Sequence, residues 1–255
     1  MSRTRVALLA GGVLVVALVA VVAVYLGGSA PDAVGIDEAV GQVGATDDPP
    51  ATDGTGGDTD ADGDAAAADA DLGGTWTVDP SIGTFSVTES TGTFVGFRVD
   101  EVLSNAGEVE AIGRTPAVTG SLTLDGTTLT AATFEADMTQ LVSDRSQRDN
   151  RMRESLDTTA HPTATFAMTE PVDLGAQPAE GEVVDVEAVG ELTVAGVTQP
   201  VTVPLQAAVT EGVLVVTGSF PVEFADFGVT APSAPIVVSV EDHGTVELQL
   251  FLDRS

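Results

Sequence analysis

The chain has no cysteine and no lysine; its nine basic residues are all arginine, against 39 acidic ones, for a formal net charge of −30 over 255 residues. Without cysteine there is no disulfide, no thiolate nucleophile, no cysteine zinc site and no lipobox cysteine for lipid attachment. The charge repels phosphate backbones and excludes nucleic acid as a partner. Histidine is scarce too. His161 precedes Pro162, and His243 stands in the turn-like Glu241-Asp242-His243-Gly244. No HExxH, GxSxG or GxxxxGK[ST] pattern and no zinc-ligand spacing occurs. We therefore expect no enzyme, no cofactor and no metal site.

What is present falls into three segments. In residues 1–30, Arg3 and Arg5 precede VALLAGGVLVVALVAVVAVYL, residues 6–26, a run of 21 without a charge. As a helix it would reach ~31 Å at ~1.5 Å per residue, about one hydrocarbon core. The expectation is a single-pass transmembrane anchor with the N-terminus cytoplasmic and the rest extracytoplasmic. The alternative is a signal peptide cleaved near Gly28-Ser29-Ala30, giving a secreted protein. Residues 31–74 hold twelve acids, no base and no aromatic residue, and read as a disordered acidic linker extended by self-repulsion. Inside it, DTDADGDAAAADAD, residues 58–71, has the spacing of a calcium loop. It ends on Asp69 where such a loop wants a bidentate glutamate, and flanking helices are missing, so it reads as spacer. Residues 75–255 carry the strand patterns and form the folded domain.

There, apolar residues alternate with polar ones at period two, the mark of half-buried strands. In 128–138, Thr130, Ala132, Phe134, Ala136 and Met138 share a face opposite Thr133, Glu135 and Asp137. Val95, Phe97 and Val99 oppose Arg98 and Asp100; Val201, Val203, Leu205, Ala207 and Val209 oppose Thr202, Pro204 and Gln206. Leu214, Val216, Gly218, Phe220, Val222 and Phe224 form another set, and Val246, Leu248, Leu250 and Leu252 stand against Glu247 and Gln249. Eight or more such strands joined by short turns point to an antiparallel sandwich or closed barrel. The inward set includes small residues such as Ala132, Ala164, Gly120, Gly190 and Gly218. Either they leave room for an elongated apolar ligand, or they fit the taper of a solid core. A solid core would make the domain a non-catalytic interaction or adhesion module.

Residues 144–156, DRSQRDNRMRESL, break the alternation and read as a short inserted helix. They hold four arginines. Arg145, Arg148 and Arg151 either pair with nearby carboxylates or meet an anionic headgroup such as a phosphate at a cavity mouth.

QRDNRMRESLDTTAHPTATF (147–166), VGELTVAGVTQPVTVPL (189–205), FADFGV (224–229) and VSVEDHGTVELQLFL (238–252), with Trp76 and Asp79 as an opening Trp-x-x-Asp, resemble the YceI-like family of polyisoprenoid-binding proteins in order and spacing. The resemblance covers about 76–252. It implies an all-β, extended antiparallel lipocalin-like β-barrel around a hydrophobic channel for an isoprenoid or other long-chain lipid. Arg148, Asp149, Pro162, Phe166, Gly190, Leu192, Gly196, Val197, Pro200, Val201, Asp226, Phe227 and Gly228 match the pattern, most of them in structural roles. Arg151 stands where many members have histidine. The ligand contacts it implies are Phe97, Phe134, Phe166, Leu192, Phe220 and Phe227. The sequence carries no reading of the oligomeric state.

Overall fold

The computed structural model describes residues 32–44, 72–175, 182–232 and 235–255. The apolar run 6–26 and the acidic stretch 58–71 lie outside them. Among the described residues no helix is long and apolar enough to cross a membrane.

The strands are β1 (Gly74–Val78), β2 (Phe94–Leu103), β3 (Gly107–Thr115), β4 (Val118–Asp125), β5 (Thr128–Asp137), β6 (Thr163–Met168), β7 (Val172–Asp173), β8 (Val184–Val194), β9 (Val197–Thr210), β10 (Val213–Glu223), β11 (Val237–Val240) and β12 (His243–Arg254). Helix α1 spans Ile36–Val40 and α2 spans Ser146–Ser155. Eight strands close a ring in the order β1-β4-β5-β6-β8-β9-β10-β12 and back to β1, all antiparallel. Closure leaves no open edge in the ring. The wall forks at β12. One edge pairs with β10 throughout; the other pairs with β1 over Leu252–Arg254 and with β2 over Thr245–Gln249. β3 and β11 extend the wall from β2. The registers give the barrel two ends. One carries α2, the Ala195-Gly196 turn and the corner at Phe224–Gly228. The far end carries the Glu211-Gly212 turn and Leu72.

Local chemistry sets the turns. Ala195 and Gly196 have φ of 49° and 76°, and Glu211 and Gly212 have 51° and 81°. Two consecutive positive φ values give the primed hairpin turn that matches strand twist, and glycine at the second position removes half of its steric cost. Trp76, 3% exposed, donates its indole N–H to the Leu72 carbonyl at 3.0 Å and pins the entry to β1.

Two expectations need correction. The face assigned to β5 slips in phase. Leu124 pairs with Leu129 and Thr123 with Ala131, so Thr130 bulges out, exposed, and Leu129 points inward at 7% exposure. An inserted residue shifts a period-two pattern by one face. Residues 32–44 also depart from the expected linker. Ile36 and Ala39, 6% and 0% exposed, pack with Ala208, Val213, Val215 and Phe251 on the outside of the barrel, joined by Val40, Val43 and Ile82. Ile36, Ala39, Val40 and Val43 are spaced i, i+3, i+4, i+7, one apolar face over about two helical turns. A five-residue helix has no stability of its own; the outward-facing valines and Phe251 supply it.

The same outer layer covers Glu247 and Gln249, expected on a solvated face and in fact 1% exposed each. Glu247 accepts from Arg98 Nε at 2.7 Å and from Arg114 Nε at 2.6 Å. Arg98 also reaches Glu110 at 2.8 Å and the Asp32 carbonyl at 2.6 Å, and Arg114 reaches the Val87 carbonyl at 2.8 Å. Gln249 donates to the Gly92 carbonyl at 2.8 Å. Burial weakens the charged form of Arg98, but Glu247 and Glu110 outweigh it and its pKa is raised. At Arg114 burial wins and the pKa is lowered.

A candidate lipid channel

Inside the ring, three cavities of about 140, 90 and 60 Å³ lie in line along the barrel axis. Val95, Ala164, Leu192 and Val246 wall both the first and the second; Leu205 and Val216 wall both the second and the third. An apolar cavity of about 150 Å³ stays dry and takes a benzene-sized guest. Three in series describe an elongated apolar slot with narrow necks.

The six residues singled out from the sequence come together here. Phe97 and Phe227 line the first cavity, Phe134, Phe166 and Phe220 the second, and Leu192 both. The innermost cavity is aliphatic, lined by Leu122, Leu124, Leu129, Val186 and Leu214 among others. Of these, Leu129 was hidden by the β5 bulge. At three glycines the second of the two alternatives holds, and they fit side chains of the wall. A Cβ at Gly120 would lie 2.7 Å from Phe134 Cδ1, one at Gly190 2.6 Å from Phe166 Cε2, and one at Gly218 2.6 Å from Leu205 Cδ2. Rings and methyls rest against these glycines, so side chains occupy that space and lie back against the wall.

Helix α2 closes one end. Met152, 4% exposed, lies over Gly113, where a Cβ would come within 2.9 Å of its Sδ, and lines the first cavity. Asp149 folds the chain back: it accepts from Ser143 N at 2.7 Å and Ser143 Oγ at 2.6 Å. Arg148 binds Asp144 on its own segment and Glu101 on β2. Glu101, Arg148 and Pro232 line the first cavity and also an outer groove along α2, so this ion pair stands between channel and solvent. Arg145 lies 3.4 Å from Asp144, and Arg151 3.9 Å from Glu154. All three headgroup candidates border the groove, where Glu101, Asp144 and Glu154 balance them. Arg153 holds the Leu141 carbonyl at 2.9 Å.

The histidines lie outside the channel. His161 stands against the Gly196 turn, and His243 lies 3.3 Å from Asp242, whose hydrogen bond raises its pKa. Glu223, Asp242 and His243 bring three ligand atoms together at the exposed surface, where water competes with any ion.

The profile of the YceI-like domain family matches residues 76–252. Among solved structures, a polyisoprenoid binding domain from Saccharophagus degradans, implicated in plant cell wall breakdown, superposes with a TM-score of 0.54 at 18% identity, covering 71% of this chain and 98% of that one. BcnA of Burkholderia cenocepacia gives 0.49 at 19%, over 62% and 95%. A YCEI protein of Campylobacter jejuni gives 0.46 at 13%, over 56% and 85%. No curated protein sequence matches the chain.

Proposed function

Because the chain belongs to the YceI-like domain family, we propose that its barrel holds a long apolar lipid of isoprenoid type, without covalent chemistry, on the extracytoplasmic side of a membrane to which residues 6–26 anchor it. The observation that carries the reading is the alignment of three apolar cavities on one axis. Extrusion of an aliphatic chain from water is worth ~0.8 kcal/mol per methylene, so a threaded chain gains affinity with each unit it buries. Rotation of Leu192 widens the neck beside Ala164, and Met152, unbranched and adaptable, fits a mobile plug. The structural neighbour described as polyisoprenoid binding agrees with this ligand class. Arg145, Arg148 and Arg151 reach an anionic headgroup only by exchanging their carboxylate partners, so the apolar chain supplies most of the affinity.

The test is native mass spectrometry with solvent extraction of the full chain purified in detergent, beside Ala164→Phe, which fills the neck between the first two cavities. Copurified or added polyprenyl lipid bound by the parent and lost from the variant is expected. A parent that stays empty when offered polyprenyl lipids sinks the proposal and leaves an interaction module with a closed core.

A further inference from the structure

Four large hydrophobic residues are exposed among those described: Val183, Val197, Ile236 and Val238. Three lie at the α2 end. Val197 follows the Ala195-Gly196 turn; Ile236 and Val238, 48% and 66% exposed, lead into and along β11. Pro235, Ile236 and Val237 border the same groove as Arg148, so this apolar rim adjoins the channel mouth. Val183 alone marks the far end.

The path of the N-terminal segment fixes which end is near the anchor. The Asp32 carbonyl accepts from Arg98 Nη2 at 2.6 Å and from Ser90 Oγ at 3.3 Å, and Arg98 also holds Glu247, so Asp32 lies beside the middle of β12. The chain then runs toward the far end. Gln42 Oε1 accepts from Gly92 N at 2.8 Å, and Gly44 lies against Glu211. Both ends of the acidic stretch 45–71, Gly44 and Leu72, are therefore fixed at the far end and add nothing to the reach between residue 26 and the barrel. Only residues 27–31 span that gap, about 20 Å from Leu26 to Asp32 at ~3.3–3.6 Å per residue. That short connection leaves from the middle of the wall, nearer the mouth than Gly44, and on the side from which the 32–44 segment runs away.

We propose that the α2 end is a membrane-docking face. Ile236 and Val238 enter the interfacial layer of the bilayer and the channel mouth opens onto lipid. This rests on the reading of residues 6–26 as an anchor and gives that reading an orientation: mouth toward the membrane, acidic stretch away from it. It replaces the expected role of the acidic segment as the extended linker between anchor and barrel.

The absence of cysteine permits a single-site test. Val238→Cys and Val183→Cys are each labelled with an environment-sensitive fluorophore in the full chain. Each is placed in phosphatidylcholine nanodiscs with and without lipid spin-labelled near the headgroup. Several-fold stronger quenching at 238 than at 183 is expected. Equal quenching, quenching at 183 alone, or none at either site overturns the docking face. So does a label at 238 that is already shielded without quenching by lipid, as pairing of a second copy along β11 would produce. Extraction of membranes with alkaline carbonate separates the two readings. A chain released into the supernatant sinks the anchor. A chain that stays in the membrane while 238 remains unquenched sinks only the docking face.

Discussion

Glu247 on β12 and Arg114 on β3 meet at 2.6 Å with 1% and 0% of their side chains exposed, on the outside of the barrel wall. A second arginine, Arg98, binds the same carboxylate at 2.7 Å. Removing one partner of a buried pair leaves the other charge uncompensated, at about 3–5 kcal/mol. Glu247→Gln keeps the shape and removes the charge on which both guanidinium groups depend. Its melting temperature is expected to fall by about 10 °C, at ~2–4 °C per kcal/mol for a domain of this size. A drop below about 3 °C would show that the layer over Glu247 admits water.

That layer can be tested from its other side. Ala39 is fully buried against the outer face of the barrel in the same cluster as Val215 and Phe251. A carboxylate there has no partner and must be hydrated. In Ala39→Asp the 32–44 segment is expected to detach, so a broad-specificity protease cuts within it at least ten times faster while the barrel resists. An unchanged cutting rate would place the segment off the barrel in the parent as well.

At the mouth, Arg148 is held by Glu101 across the channel entrance. In Glu101→Gln the neutral amide binds the guanidinium less strongly and the helix end loosens. We expect a fluorescent apolar probe loaded in the channel to leave about five- to tenfold faster, about 1–1.4 kcal/mol off the barrier, with a smaller fall in melting temperature than in Glu247→Gln because Arg148 keeps Asp144. Stopped-flow release into acceptor vesicles measures it. An unchanged rate would mean that the ligand leaves by another path.

The barrel was legible because its inner face is read one residue in two. Phe97, Phe134, Phe166, Leu192, Phe220 and Phe227 could be chosen from alternation and family resemblance, and all six face the channel. The outer layer was not legible for a related reason. Val213 to Val216 is apolar at every position because both faces of β10 are covered, and alternation says nothing about the second cover. The cover itself, Ile36 to Val43, carried a helical period too short to stand out in an acidic stretch. Glu247 and Gln249 looked solvated because a polar residue opposite an apolar one usually is. Their partners come from β2, β3 and the 86–92 loop, more than 130 positions away in sequence. At the mouth, pairing of the arginines with nearby carboxylates was among the alternatives, but which carboxylates do so was not readable, because Glu101 comes from a distant strand and the carboxylate of Asp149 is taken by Ser143.

Asp79, just after β1, and Asp253, near the end of β12, face each other at the seam that closes the ring. Asp79 accepts from Ser81 N at 2.8 Å; hydrogen bonding to Ser81 lowers its pKa. Partial burial, and then the Asp79 charge, raise the pKa of Asp253. A carboxyl with a raised folded-state pKa opposes folding when ionised. Its cost is full above the folded pKa and vanishes as pH falls below the unfolded value near ~3.9. Asp79 works in the opposite sense: it contributes stability above that pH and loses it on acidification. Asp253→Asn should therefore raise the melting temperature at pH 7 by about 1–2 °C, the small effect of a solvent-screened pair. The gain should shrink to nothing by about pH 3. Asp79→Ala should lower the melting temperature at pH 7, and its loss should also fade in acid. Thermal melts of the two variants and the parent from pH 3 to 7 check both signs, and an Asp253→Asn gain that persists at pH 3 would show that packing rather than charge sets the effect.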